Sequence, residues 1–238
     1  MVCSEQGTQL PFAKWTCYDN GLHTGLVAHW PGLSKPGSII DNLVTTADIT
    51  PTIVKGLGGK LEKGSIDGKS FINLLKGDEQ PTHQYVYGAF TNCRIIDNRE
   101  RIYPIRSIRD KRYSLIYNPN HLAMTSNVTL SQALSMIEDP SKKPESFNPP
   151  ASWVVLKNKN QKSKALVNKL YNRPQFELYD LQRDPFEMKN QTGNIKYKKI
   201  HNRLKKALLD KLSELGDSNP IITEKNFVFT DQKKKKRK

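Results

Sequence analysis

The stretch that decides how this chain is read is its first 32 residues, Met1 to Gly32, MVCSEQGTQLPFAKWTCYDNGLHTGLVAHWPG. It sets a carboxylate–carboxamide pair, Glu5–Gln6, ahead of its single lysine, Lys14, and closes on Trp30-Pro31-Gly32. A carboxylate beside a carboxamide at a strand end offers two oxygen donors to a hard cation. A lysine a few residues later offers an ammonium to an anionic group. The run Gly21 to Trp30 has an apolar centre in Leu22, Leu26, Val27 and Ala28, which predicts a buried strand followed by a turn. The segment reads as half of an active site, in a chain expected to begin mid-domain.

Outward from this segment, Ile49, Ile53 and Leu57 recur at four-residue spacing, with Thr46 or Thr50 as cap and Gly58-Gly59 as stop. They predict a short helix that tolerates Pro51 near its first turn. A second short helix is expected over Phe71 to Leu75, ended by Gly77. The runs Gln84–Phe90, Tyr103–Arg109, Tyr113–Tyr117 and Phe176–Leu181 alternate in aromatic and β-branched residues and predict strands. A helical piece is expected around Thr129 to Ile137. From Ile195 to Leu215 the set Ile200, Leu204, Leu208, Leu212 and Leu215 makes a helical stripe, ended by Gly216. The order predicts the end of an α/β domain followed by a small α+β subdomain, an antiparallel sheet with a closing helix. Residues 1–80 are assigned to the first, 81–216 to the second and 217–238 to a basic tail.

The 238 residues carry a formal charge of +15, and six of the positive charges lie in Lys233 to Lys238. That tail reads as a solvated end; nuclear localisation, nucleic-acid contact and a glycosaminoglycan tether are the other readings. Apart from the tail no nucleic-acid partner is expected. The three cysteines, Cys3, Cys17 and Cys93, form no CxxC, which argues against a zinc site or a thioredoxin-type pair. Cys17, beside Tyr18, reads as a buried inert thiol. No run of about 18 apolar residues is present for a membrane span, and no signal peptide is visible.

Several separated segments, in the correct order, carry a family resemblance. SEQG with PFAKWTCYDNG and LVAHWPG, then TTADITPTIV and DGKSFINLLKG, then YPIRSIRDKRYSLIYN and FELYDLQRDPFEMKN are similar to the sulfatase family. Within it they resemble the C-terminal portion of the sulfamidase-like branch. The resemblance implies an alkaline-phosphatase-like α/β domain completed by a small antiparallel sheet. It implies hydrolysis of sulfate esters or sulfamates, with heparan sulfate or a related glycosaminoglycan as the sulfated glycan substrate. It places Glu5 and Gln6 on the family's calcium ligands and Lys14 on the residue that contacts the sulfate. His23, next to the matched segment, is carried as a second substrate contact. Family members have Asp followed by Asn or His at the metal pair, so Glu-Gln lengthens both arms by a methylene.

No C-x-P-x-R or S-x-P-x-R, the motif whose cysteine or serine becomes formylglycine, occurs in the sequence. The nucleophile and the remaining calcium carboxylates are therefore expected on a preceding sulfatase segment, and no catalytic residue is assigned here. Two functions follow. One is a sulfatase whose other half lies elsewhere; the other is a non-catalytic basic module that binds polyanions. The family's lysosomal, secreted and periplasmic settings leave the compartment open.

Overall fold

Four strands take up the alternation seen after residue 84. The computed structural model describes residues 1–8, 10–78, 80–96, 99–125, 139, 141, 151, 153 and 160–218. Two-residue strands β1 (Val2–Cys3) and β2 (Leu26–Val27) pair antiparallel. Short helix α1 (Asp19–Leu22) lies between them; α2 (Ile49–Gly56) and α3 (Ile72–Leu75) follow. Strands β3 (Val86–Ile96), β4 (Arg99–Arg109), β5 (Tyr113–Tyr117) and β6 (Phe176–Asp180) form one sheet in that order, every neighbour antiparallel. Helix α4 (Gln161–Tyr171) precedes β6, and α5 (Lys198–Glu214) closes the described chain.

The strand register sorts side chains onto two faces, because neighbours along a strand point opposite ways. Ile108, Leu115 and Leu178 share one rung, and they pack with Leu204, Leu208 and Leu212 of α5. The leucine stripe is the physical cause of that docking; each fully buried leucine contributes about 1.5–3 kcal/mol. On the other face, Tyr103, Ile105, Ile116 and Tyr179 pack with Phe12, Cys17 and Tyr18 from the start of the chain and with Val167, Leu170 and Tyr171 of α4. Phe12, Cys17 and Tyr18 thus tie the start of the chain into the core of the sheet. No helix among the described residues is long and apolar enough to cross a membrane.

The expected helices at 46–57 and 71–75 form, the first behind a one-turn 3-10 segment at Thr46–Asp48. Its cap is Thr45 rather than Thr46 or Thr50, through a capping box with Asp48. The four expected strands form, with β3 and β4 extending beyond the predicted bounds. The buried strand expected over Gly21–Trp30 does not form. Only Leu26–Val27 is extended, Val27 is 69% exposed, and Asp19–Leu22 is helical. The apolar centre divides instead, Leu26 and Ala28 resting on a small cluster with Phe71, Leu74 and Leu75. Helix α4 was not expected: its apolar residues Leu166, Val167, Leu170 and Tyr171 are interspersed among lysines. The helix expected around Thr129–Ile137 and the Lys233–Lys238 tail lie outside the described residues.

Candidate functional site

Glu5 and Gln6 leave the end of β1, which is pinned to β2. Ser4 N donates to Gly25 O at 2.8 Å, and Gly25 N donates to Ser4 Oγ at 2.9 Å. Gly7 then turns the chain with φ +55°, and a β-carbon there would sit 2.9 Å from both Lys14 N and Asn20 O. Only glycine fits that approach. The turn folds the lysine back onto the acid. Lys14 N donates to Thr8 O at 2.9 Å, and Lys14 Nζ meets Glu5 Oε1 at 2.7 Å. The Glu5 side chain is 73% exposed and that of Lys14 is 19% exposed, so the ammonium is largely sheltered while the carboxylate faces solvent. Gln6 is exposed beside them. His23 caps the end of α1 and points its ring to Asp19, with Nδ1 3.4 Å from Asp19 Oδ2.

Lys14 sits on a strained loop. Phe12 and Trp15, two residues before it and one after, adopt φ of 63° and 66°, the left-handed region that costs non-glycine residues about 1–3 kcal/mol each. Packing from across the molecule holds Phe12 there. The Phe12 ring meets Tyr18 edge-on at 5.3 Å, and the Lys169 ammonium of α4 lies 5.1 Å from Phe12, 5.3 Å from Tyr18 and 4.9 Å from Tyr179. A cation over ring faces gains from their quadrupoles, most where water is excluded. Burial pulls the Lys169 ammonium below its ordinary pKa, while Glu177 and Glu187 oppose that pull.

Beneath the loop lies a buried polar network. Glu177, 1% exposed on β6, accepts from Tyr18 Oη at 2.7 Å, from Tyr179 Oη at 2.6 Å and from Asn118 Nδ2 at 2.9 Å. Burial raises both tyrosine hydroxyls far above their ordinary range, so they stay donors. Glu187 accepts the amide proton of Asp19 on Oε2, its backbone carbonyl accepts from Lys169 Nζ, and the Asp19 carboxylate pairs with Arg109. Burial pushes the Glu187 carboxyl up to about 8, against the pull of Ser114, Lys169 and Arg109. Sequence reading missed Glu177, Glu187 and Lys169. Their partners at positions 12–19 lie some 150 residues away in the chain, so no local spacing marks them.

One further expectation resolves. Cys17 is buried at 1% exposure, and burial pushes its thiol up to about 12, an inert state. Arg106, in the YPIR run of β4, forms an ion pair. Its guanidinium holds Asp217 just beyond α5 and reaches Phe90 O at 3.2 Å and Thr91 Oγ1 at 3.0 Å.

The Glu5–Gln6 pair has the donor chemistry for calcium, an ionised oxygen beside a carbonyl oxygen, and an ammonium already occupies a cation position at Glu5. Two side-chain oxygens fall short of the six to eight that calcium takes. Among the described residues no group of three or more His, Cys, Asp or Glu is gathered to hold a metal. The pair therefore fits calcium as part of a cage and not as a whole one.

An antiparallel four-stranded sheet with a closing helix, preceded by short α/β segments, is the arrangement expected of the C-terminal part of a sulfatase-type hydrolase. The chain belongs to the family described as N-sulphoglucosamine sulphohydrolase, C-terminal, whose model matches residues 7–163. It is 35% identical over 220 residues to an ulvan-active sulfatase of Formosa agariphila, covering 89% of this chain and 39% of that protein. A second ulvan-active sulfatase from the same organism is 26% identical over 220 residues, covering 90% of this chain and 32% of the relative. The chain thus spans less than two fifths of the length of these relatives. The solved structure of a 2-O GAG sulfatase aligns with a TM-score of 0.47 at 20% identity, over 79% of this chain and 29% of that one.

Proposed function

We propose that this chain supplies the C-terminal half of a sulfatase site that hydrolyses sulfuric esters or sulfamates on a sulfated glycan. The expected substrate class is N-sulfated glucosamine in heparan sulfate or a related glycosaminoglycan. In this reading residues 1–80 complete the large α/β domain and residues 81–216 form the small subdomain. Glu5 and Gln6 hold calcium together with carboxylates from the preceding segment, and Lys14 neutralises a sulfate oxygen. Calcium, when bound, supplies Lewis-acid polarisation of the sulfate. Lys14 contributes a fixed positive charge where negative charge develops, its sheltered ammonium already oriented toward the Glu5 carboxylate. His23, exposed at the end of α1, serves as an outer contact to the sugar. The formylglycine nucleophile belongs to the preceding segment.

The observation that carries this reading is the Lys14–Glu5 pair, built by a turn that requires Gly7 and held on a strained loop. A chimera tests it. The portion of the 35%-identical ulvan-active sulfatase that precedes the aligned region is joined to this chain and assayed on ulvan and on an N-sulfated disaccharide. Turnover is expected on at least one substrate, with Lys14→Ala lowering kcat about 100-fold. A Lys14→Ala chimera as active as its parent would reject the assignment. The chain alone is expected to show no turnover. The charge of +15 favours one other reading, a non-catalytic polyanion-binding module. An inactive chimera whose chain still shows salt-sensitive heparin retention would select it.

A further inference from the structure

A groove of about 400 Å³ opens between residues 81–84 and the β4–β5 turn, Asp110 to Tyr113. It shares no residue with Glu5, Gln6, Lys14 or His23, and its volume falls within the range of ligand pockets. Its charged walls are fixed by partners behind them. Arg112 donates through Nε and Nη2 to Asp180 at 2.9 and 2.7 Å and lies 5.0 Å over the Tyr113 ring. His83 Nε2 sits 2.8 Å from Asp48 Oδ2. The Asp48 carboxylate is fully buried and also receives the amides of Thr45 and Lys69 at 2.7 and 2.6 Å. The acid of the lining, Asp110, has both oxygens engaged. Oδ1 accepts the amides of Arg112 and Tyr113 at 2.8 and 2.7 Å, and Oδ2 accepts from Arg203 at 2.6 Å.

The carboxylate of this wall is engaged while its cationic donors are in surplus. Arg112 has N–H groups beyond the two given to Asp180, and Lys111 is exposed with no ion pair among the described residues. Against these two cations, exposed Gln84 sets one neutral carbonyl acceptor, its amide nitrogen being turned to Tyr85 Oη. A neutral sugar hydroxyl needs donors and acceptors alike, whereas sulfate and carboxylate need donors only. The guanidinium and imidazole are already immobilised, so an anion would meet an ordered wall and lose little freedom of the protein. The field of a chain at +15 draws the same ligands.

We propose that this groove is a second subsite, binding a sulfate or carboxylate group of an anionic glycan, with Lys111 as its mobile counter-charge. The choice of a glycan over another polyanion rests on the sulfatase reading above; the binding of an anion does not. The test is fluorescence anisotropy of a fluorescein-labelled heparin tetrasaccharide with the full chain, Lys233, Lys234, Lys235, Lys236, Arg237 and Lys238 all replaced by Gln to silence the tail. Lys111→Glu is expected to weaken binding about ten-fold and Lys111→Gln about three-fold, while Lys206→Glu on the exposed side of α5 changes it less than two-fold. An undetectable parent interaction, or a Lys111→Glu effect no larger than that of Lys206→Glu, would overturn the subsite. Unlabelled (dT)12 displacing the probe as well as unlabelled tetrasaccharide does would reassign the groove to nucleic acid and overturn the glycan. Lys14→Ala separates the two sites. If it leaves the Lys111 effect intact the groove stands, whatever the fate of the Lys14 assignment. If it abolishes binding and Lys111→Glu has no effect, the groove falls and the Lys14 assignment stands.

Discussion

The two faces of the four-stranded sheet solve different problems. Toward α5 the centre of the contact is leucine and isoleucine against leucine, with Leu115, Leu178 and Leu204 at 0% exposure and tyrosines and the Arg106–Asp217 pair around it. Toward the start of the chain, the same strands present Ser107, Ser114 and Glu177 among the aromatics, and the layer above joins the loop around residues 12–18 to helix α4. The apolar face needs only shape and area, and many sequences would serve it. The polar face must hold one particular loop in one strained conformation. Directional bonds to Glu177 and Glu187 do that where dispersion contacts would not.

The polar face should be the more sensitive of the two to pH. The Glu187 carboxyl, lifted to about 8 from an ordinary 4.5, binds its proton more tightly in the folded chain than in the unfolded one. Its contribution is fully present below about pH 4.5 and is lost as pH rises through about 8. Linkage puts the loss on the order of 5 kcal/mol. Urea titrations from pH 5 to 9 should show that decline, and Glu187→Gln should flatten it. An unchanged slope in the variant would assign the titration elsewhere. The apolar face should respond next: Leu208→Ala is expected to cost about 3 kcal/mol with no new pH dependence, read from the urea midpoint.

A smaller change sharpens the contrast between global and local stability. Tyr18→Phe removes one donor from Glu177 and should cost about 1.5 kcal/mol. Its mark is spatial: amide hydrogen exchange should speed up at residues 12–19 more than in α5. Uniform acceleration would mean that the two faces are one cooperative unit. At the bottom of the scale, Lys206→Ala breaks only the exposed pair with Asp210 and should shift stability by about 0.3 kcal/mol.

What could be read from sequence follows the same division. The α5 stripe and the four strands were legible because a regular period and a regular core face go together. The Arg106–Asp217 pair could not be placed from sequence, since its partners lie 111 residues apart with no spacing to mark them. The stretch Gly21–Trp30 misled because an apolar centre is also what a loop needs to rest on a small cluster, as Leu26 and Ala28 do, while Leu22 and Val27 stay exposed. Glu5, Gln6 and Lys14 were singled out by residue type and given roles by a resemblance, and the structure puts Glu5 and Lys14 in contact at 2.7 Å. The groove at Asp110–Tyr113 had no sequence signal, since its character lies in which groups are already satisfied from behind.

The left-handed residues beside Lys14 carry a consequence for how such a chain can change over generations. Trp15 is 38% exposed at φ 66°, so its indole is more covered than open. Glycine there would relieve about 1–3 kcal/mol of backbone strain, but it would give up most of the indole's contact area and loosen the unfolded chain, losses of similar size or larger. It would also free the loop to carry Lys14 away from Glu5. Selection for folding and selection for chemistry therefore press on residue 15 in the same direction, toward keeping a bulky side chain in a conformation that glycine would hold without strain.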